Sequence, residues 1–290
     1  MMSASPLRTL LVLARGSNLP TVWSNCLAGW WLSGGRNYWK LPFLLLGVSA
    51  LYSAGMFLND AFDADFDKQR RPERPIPSGK IEAEAVWRIG FSLLGAGFLL
   101  LLPLGWMAIG ATVCLIFFIL LYDFTHKFLT ASPWLMGACR FWVYVIAGTT
   151  GASKLNGFPI YCGVALALYI VGLSYVARRE SFNGPVPHWP VLFLAAPILS
   201  ALAMNAGAYR QHAYWVMAIL GLWIFRSVRP VFLGGPINVG WTVTNLLAGI
   251  VFVDWLTVAP DPAASPLTTT TVFVALWGAT KLAQKYVPAT

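Results

Sequence analysis

Apolar residues run in long blocks along this chain, and polar residues gather in the short gaps between them. Blocks fall at about 18–34, 41–62, 84–103, 105–122, 133–151, 158–177, 189–207, 211–228 and 238–258. Each is near the roughly 20 residues that a helix needs to cross a bilayer core. A shorter run at about 267–283 contains four consecutive threonines and two lysines lie at its end and beyond, Lys281 and Lys285. Proline marks the gaps at 71–79, 132–133, 184–190, 229–236 and 260–266, as expected where helices stop and the chain turns. The pattern predicts an all-α fold, a polytopic transmembrane helix bundle.

Composition agrees. The chain is 58% hydrophobic and 11% charged, with a mean hydropathy of +0.65, whereas soluble domains carry about 25% charged residues. No polar block is long enough to be a separate soluble unit, so residues 1–290 are expected to form one integral-membrane domain. The net charge of +9 does not imply nucleic acid, because the basic residues punctuate apolar runs. Lys68, Arg70, Arg71, Arg74, Lys80, Lys127, Arg178, Arg179, Arg226 and Arg229 follow the even-numbered runs, and Arg8 and Arg15 precede the first. The opposite gaps hold only Arg36, Lys40, Lys154 and Arg210. The positive-inside rule then places the N-terminus and the even-numbered loops in the cytoplasm of a bacterial membrane. Charge favours ten spans, because the terminal lysines reach the basic side only if the last run crosses. Cys26, Cys114, Cys139 and Cys162 are scattered through apolar runs without metal-ligand spacing and read as core residues. The run Leu10 to Ala14, broken by Arg15, is too short for a signal peptide.

One gap is chemically unusual. Seven of the eleven carboxylates lie between Asp60 and Glu84, at the end of the second run. Residues three, four or seven apart share a helix face, so Asp60, Asp63 and Asp67 form one stripe with Asn59 beside it. Acids are costly in a membrane span, and a cluster at its mouth calls for a cation. Mg²⁺ takes one or two carboxylates and completes its shell with water and phosphate oxygens. The plain alternative is a solvated loop paired with its own arginines. Arg70, Arg71 and Arg74 suit either a phosphate clamp or a topology anchor.

Other candidates face the same side. Tyr122, Asp123 and Lys127 close the fourth run, and Arg178, Arg179 and Glu180 close the sixth. Tyr122 and Lys127 can meet a diphosphate or act as interfacial anchors. His126, His188 and His212 lack partner spacing. Arg140 sits inside the fifth run, where a guanidinium needs a partner: a substrate, Asp123, or a backbone carbonyl.

The sequence Asn59-Asp60-x-x-Asp63-x-x-x-Asp67, continued by Arg71-Pro72-Glu73-Arg74-Pro75-Ile76-Pro77-Ser78-Gly79, resembles the signature of the UbiA superfamily of intramembrane prenyltransferases. Arg15-Gly16-Ser17-Asn18-Leu19-Pro20-Thr21 resembles that family's opening segment. The resemblance implies nine helices around a central cavity and a second acidic motif, binding a second Mg²⁺, at the end of the sixth run. This chain has Arg178-Arg179-Glu180 there, one acid where several are expected. Tyr122 and Lys127 stand five apart where the family has four. Tyr175 to Ser181, with Asn59 to Ala64, resembles the EboC-like branch, associated with gene clusters for small secondary metabolites.

The resemblance implies Mg²⁺-dependent transfer of a prenyl group from a prenyl diphosphate to an aromatic or lipid-like acceptor within the membrane. Asp60, Asp63 and Asp67 would be the metal and catalytic acids. Asn59, Arg71, Tyr122, Lys127, Arg178 and Arg179 would hold the diphosphate. The rival reading is a non-catalytic binder or carrier of isoprenoid-like metabolites. CDP-alcohol phosphotransfer is disfavoured, because that family's Asp-Gly-x-x-Ala-Arg opening is absent.

Overall fold

The apolar runs become helices in a computed structural model, which describes residues 6–151, 157–178, 188–204, 210–232, 238–259 and 265–289. Thirteen α-helices occur among these residues: α1 (Pro6–Leu13), α2 (Leu19–Leu32), α3 (Lys40–Phe62), α4 (Ala64–Arg70), α5 (Ala83–Leu101), α6 (Trp106–Thr125), α7 (Ser132–Gly151), α8 (Gly157–Ala177), α9 (Pro190–Leu194), α10 (Ala196–Met204), α11 (Arg210–Phe232), α12 (Val239–Val258) and α13 (Pro266–Tyr286). No strand occurs among them.

The expected count of nine or ten spans is not confirmed. Among the described residues, six helices are long and apolar enough to cross a membrane: α3, α5 with the 3₁₀ turn that extends it, α6, α8, α11 and α12. Two further helices, α1 and α4, are short and flank the polar side. The run at 189–207, expected as one span, breaks into α9 and α10 at Ala195. Pro197 is the physical reason, since it donates no N–H to Phe193 and its ring crowds that carbonyl. The chain is an integral-membrane protein; large apolar side chains such as Phe91, Phe117 and Leu222 point outward.

Lipid tails are as apolar as leucine, so helices in a bilayer associate through close packing. The α3–α5 pair shows how. A Cβ on Gly97 would lie 2.8 Å from the Leu51 side chain and 2.9 Å from the Gly47 carbonyl oxygen. Gly90 is equally tight against Leu58. On the other side of the bundle, a Cβ on Gly137 of α7 would meet the Ala167 carbonyl of α8 at 2.8 Å. α7 contributes to two buried clusters. Tyr144 packs with Leu166, Tyr169 and Ile250, while Val143 and Ile146 pack with Leu44, Leu51 and Leu115.

The chain closes on itself at one point. After α13, residues 287–289 return to the 3₁₀ turn Gly16–Asn18, where Asn18 Nδ2 donates to the Ala289 carbonyl at 3.0 Å. Arg15, just before that turn, takes a left-handed backbone conformation (φ 44°, ψ 49°), which costs a non-glycine residue about 1–3 kcal/mol.

Gly97→Ala should destabilise the folded protein by about 1–3 kcal/mol through overpacking. Gly95→Ala, where a Cβ meets nothing within 4 Å, should be neutral or slightly stabilising. Thermal unfolding of the two variants in one detergent compares them directly.

Candidate active site

The polar ends of α3, α4, α6, α7 and α8 surround one cavity of about 450 Å³, within the usual range for a small-molecule site. Its mouth is charged and its wall is apolar. Asn59, Asp63, Asp67, Arg71, Tyr122, Lys127 and Arg178 all line it. The sequence pattern therefore brings together most of the residues it singled out. Val22, Val48, Leu115, Ile119 and Leu173 continue the wall away from the mouth.

The acidic stripe survives a helix junction. α3 ends at Phe62 and α4 begins at Ala64, yet the backbone bonds run through: Asp63 N–H donates to Asn59 at 2.9 Å and Asp67 N–H to Asp63 at 2.8 Å. Helical spacing is thus kept across Asp60, Asp63 and Asp67, all three buried. Asp60 does not itself line the cavity. It lies against Arg74, which donates to Asp60 at 3.2 Å and to Asp67 at 2.8 Å, with Arg15 at 3.8 Å from the same Asp60 oxygen. Asp63 pairs with Lys127 at 3.0 Å and His126 at 3.1 Å. Lys127 also donates to the Phe62 carbonyl at 2.6 Å. Asn59 Nδ2 donates to Asp123 Oδ1 at 3.2 Å, and Tyr122 stacks on His126.

Arg178 lines the cavity and is half-buried, and it donates to the carbonyls of Thr130 and Leu129. Arg179 and Glu180 lie outside the described residues. Arg74 bears out the pairing of the acidic loop with its own arginines. Two contributors were not singled out by spacing. Arg15 is a sequence-distant partner of Asp60. His126 gains a carboxylate partner only because α6 ends beside α4; the signal available was its place one residue before Lys127.

A second polar group lies deeper. Arg140 donates to Asn25 Oδ1 at 2.6 Å, to the Thr21 carbonyl at 3.3 Å and to Thr21 Oγ1 at 3.2 Å. It therefore takes the carbonyl alternative and does not pair with Asp123. Asn25 in turn donates to Asp254 Oδ2 at 2.6 Å, and Tyr144 donates to Asp254 Oδ1 at 2.6 Å. Ser24 also donates to Asp254. Asp254 drew no notice in the sequence, because it stands alone in the apolar run of α12.

Charges at the mouth shift one another. Burial pushes the Asp63 carboxyl up, but hydrogen bonds and charge from His126 and Lys127 outweigh it and hold Asp63 below the ordinary carboxylate value. Burial alone would lower His126, and Asp63 raises it above its ordinary value. For Asp67 burial wins over Arg74, leaving it raised. Burial opposes the Arg15 charge too, yet the Asp60 carboxylate raises it.

Among the described residues, no group of three or more His, Cys, Asp or Glu is arranged to hold a metal. The donor set nonetheless suits Mg²⁺. It consists of hard oxygen ligands, and Asp123 Oδ2 is buried with no hydrogen-bond partner. Mg²⁺ requires only one or two protein carboxylates when phosphate supplies other oxygens.

A charged mouth opening into an apolar helical cavity defines an intramembrane enzyme for substrates with an anionic head and an apolar tail. Comparison with known proteins gives the family. Residues 18–277 match the model of the UbiA prenyltransferase family. The chain belongs to that family and is an integral-membrane prenyltransferase. It is 28% identical over 224 residues to digeranylgeranylglyceryl phosphate synthase of Sulfolobus acidocaldarius, covering 74% of this chain and 75% of that one. It is 32% identical over 226 residues to 4-hydroxybenzoate octaprenyltransferase of Acidovorax ebreus, covering 77% and 73%. Its fold is similar to that of a UbiA homologue from Archaeoglobus fulgidus bound to GPP and Mg²⁺, with a TM-score of 0.52 at 13% identity over 96% of this chain and 99% of that one.

The His126–Asp63 pair gives a pH dependence. Asp63, lowered, adds stability above its unfolded value of about 3.9 and loses it as pH falls through the lower folded value. His126, raised, adds stability below about 6.5 and loses it as pH rises through the higher folded value. The pair should therefore stabilise most between these limits. Thermal unfolding without metal should show wild type losing stability above neutrality by about 1.4 kcal/mol per unit of His126 shift, and His126→Gln losing less.

Proposed function

We propose that this protein transfers a prenyl group from a prenyl diphosphate to an aromatic or lipid-like acceptor inside the membrane. The supporting observation is the single cavity that joins a charged mouth to an apolar wall. The diphosphate belongs at the mouth, where Arg74, Lys127, Arg71 and Arg178 supply positive charge, with Tyr122 as a hydrogen-bond donor; Arg179, outside the described residues, is proposed to assist. The isoprenoid tail belongs among Val22, Val48, Leu115, Ile119 and Leu173.

Asp63 and Asp67, with Asp60 and Asn59 behind them, are the residues that would hold Mg²⁺, which supplies Lewis-acid neutralisation of the leaving diphosphate when bound. In the reaction, the allylic carbon–oxygen bond breaks and its electron pair goes to the diphosphate. A nucleophilic atom of the acceptor bonds to that carbon, and the acceptor gives up a proton. The chain's own cations steady the departing charge in a fixed arrangement. The apolar wall keeps water from capturing the allylic cation.

Residues 1–290 act as one domain in this reading, with the acidic mouth on the cytoplasmic face of a bacterial membrane. The resemblance of Tyr175 to Ser181 and of Asn59 to Ala64 to the EboC-like branch supports assigning the chain to that branch in this reading. Arg178 and Arg179 then take over part of the neutralisation that a second metal gives elsewhere.

Asp63→Asn and Asp67→Asn should each reduce prenyl transfer about 100-fold or more, which is about 2.7 kcal/mol of barrier, and chelation of Mg²⁺ should abolish it. Release of pyrophosphate from labelled prenyl diphosphates, in the presence of aromatic and lipid acceptors, measures both. Unchanged activity in both variants would remove the acids from the site. Donor binding without pyrophosphate release in the presence of any acceptor would make the protein a carrier.

A further inference from the structure

We propose that the face formed by α11, α12 and α13 carries a binding site for the phosphate headgroup of an anionic phospholipid, with Arg226 and Lys281 as its two main cations. The site lies outside the cavity and does not depend on the prenyl-transfer reading.

Four cations gather on this face. Arg226 and Arg229 stand three apart near the end of α11, and Lys281 and Lys285 stand four apart near the end of α13, so each pair shares a helix face. Among the described residues, no acid lies within ion-pair distance of any of the four. At the cavity mouth, by contrast, Arg15 and Arg74 face Asp60. These helix ends lie on the side of the mouth, because residues 287–289 run from α13 back to Asn18 at the cavity rim. Arg226, Asn245 and Lys281 lie five or six residues inside the ends of their helices, about 9 Å along each axis. The cluster therefore sits near the polar boundary of the bundle and not at its middle.

A topology anchor carries its charge into water on a free stem. Lys281 is held differently. It is half-buried, and its Nζ donates to Asn245 Oδ1 at 3.1 Å and to Gln284 Oε1 at 3.1 Å. Both amides are fixed by the α12 backbone: Asn245 donates to the Trp241 carbonyl at 2.8 Å, and Gln284 to the Thr244 carbonyl at 3.0 Å. One of the three ammonium donors stays unspent. The Trp223 ring lies 6.0 Å from Lys281 Nζ and 6.0 Å from Arg226 Cζ, and the Trp241 ring lies 5.9 Å from Arg226. Trp223 is itself fixed, donating from Nε1 to the Asn245 carbonyl at 2.8 Å. Two indoles thus orient a guanidinium that makes no hydrogen bond among the described residues and keeps its five N–H donors for a ligand. Arg226 is near enough for its charge to act on Lys281. Two cations held together without an acid repel, and an anion between them relieves that cost.

The surroundings choose the anion. Leu222 and Phe225 on α11 and Leu282 on α13 are exposed apolar side chains next to the two cations in sequence or one turn away, and in a bilayer they meet acyl chains. A molecule with a phosphodiester head and acyl tails matches both halves, as in other basic clusters between membrane helices. Val243 and Leu247 of α12 line the substrate cavity. Trp241 and Asn245 stand two positions out of phase with them, which is more than half a turn of helix, so the lipid site and the cavity occupy opposite faces of α12.

The full chain in a non-ionic detergent is titrated with phosphatidylglycerol and with phosphatidylcholine of the same acyl chains, and bound lipid is counted by native mass spectrometry. Wild type should bind phosphatidylglycerol about ten-fold or more tightly than phosphatidylcholine. Arg226→Gln combined with Lys281→Gln should shrink that preference to about two-fold or less. Lys68→Gln combined with Lys80→Gln removes the same charge on the same side of the bundle and should keep the full preference. Trp241→Leu, which keeps every charge if the double variant fails to fold, should cut the preference about three-fold. Inorganic phosphate and pyrophosphate, added at constant ionic strength, should fail to displace the lipid. No preference in wild type, an equal loss in the Lys68 and Lys80 control, or an unchanged preference in the site variants would overturn the proposal. Displacement by either soluble anion would overturn the lipid assignment.

Discussion

The cost of holding charge away from water governs this cavity from rim to floor. A carboxylate in a low-dielectric setting must be met by a cation or by several donors. Asp60, Asp63, Asp67 and Asp254 meet that demand differently, and Asp123 meets it only in part, through Asn59. Asp60 and Asp67 share Arg74. Asp63 has Lys127 and His126. Asp254 has three neutral donors and a guanidinium one amide away. In the proposed reaction, a diphosphate arriving at the mouth finds cations already gathered there and fixed by partners. The electrostatic work of ordering them is done during folding, before any substrate is bound.

The same demand explains what was legible in the sequence. The Asn59 to Asp67 spacing was readable because helical periodicity turns sequence distance into a shared face, and the hydrogen bonds across Asp63 preserve it. Lys127 and Tyr122 were readable from their place at the end of an apolar run. Arg15 and His126 were harder, because their partners come from other segments. Asp254 was not readable: a lone acid in an apolar run gives no sign of the serine, asparagine and tyrosine that surround it. The break in the run at 189–207 was not legible for a related reason. Hydropathy registers apolar length and passes over Pro197, which divides α9 from α10.

Glycine sets the distances on which these contacts depend. The close approach of α3 to α5 through Gly47 and Gly97 fixes the axis that carries Asn59 and Asp60. Gly137, one turn before Arg140, lets α7 lie against the α8 backbone. α7 also belongs to both buried clusters, so the cavity floor and the two halves of the bundle share one rigid element. Side chains that must act within fractions of an ångström are mounted on the best-packed helices.

The bond from Asn18 to Ala289 joins segments 271 positions apart, and both residues border the cavity. The rim is therefore assembled from segments far apart in the chain, the turn before α2 and the residues that follow α13. Helices in between can pair with their neighbours, but the entrance acquires its final outline only when these two segments meet. Loosening that one long-range clasp would leave acids and arginines in place around an unfinished doorway.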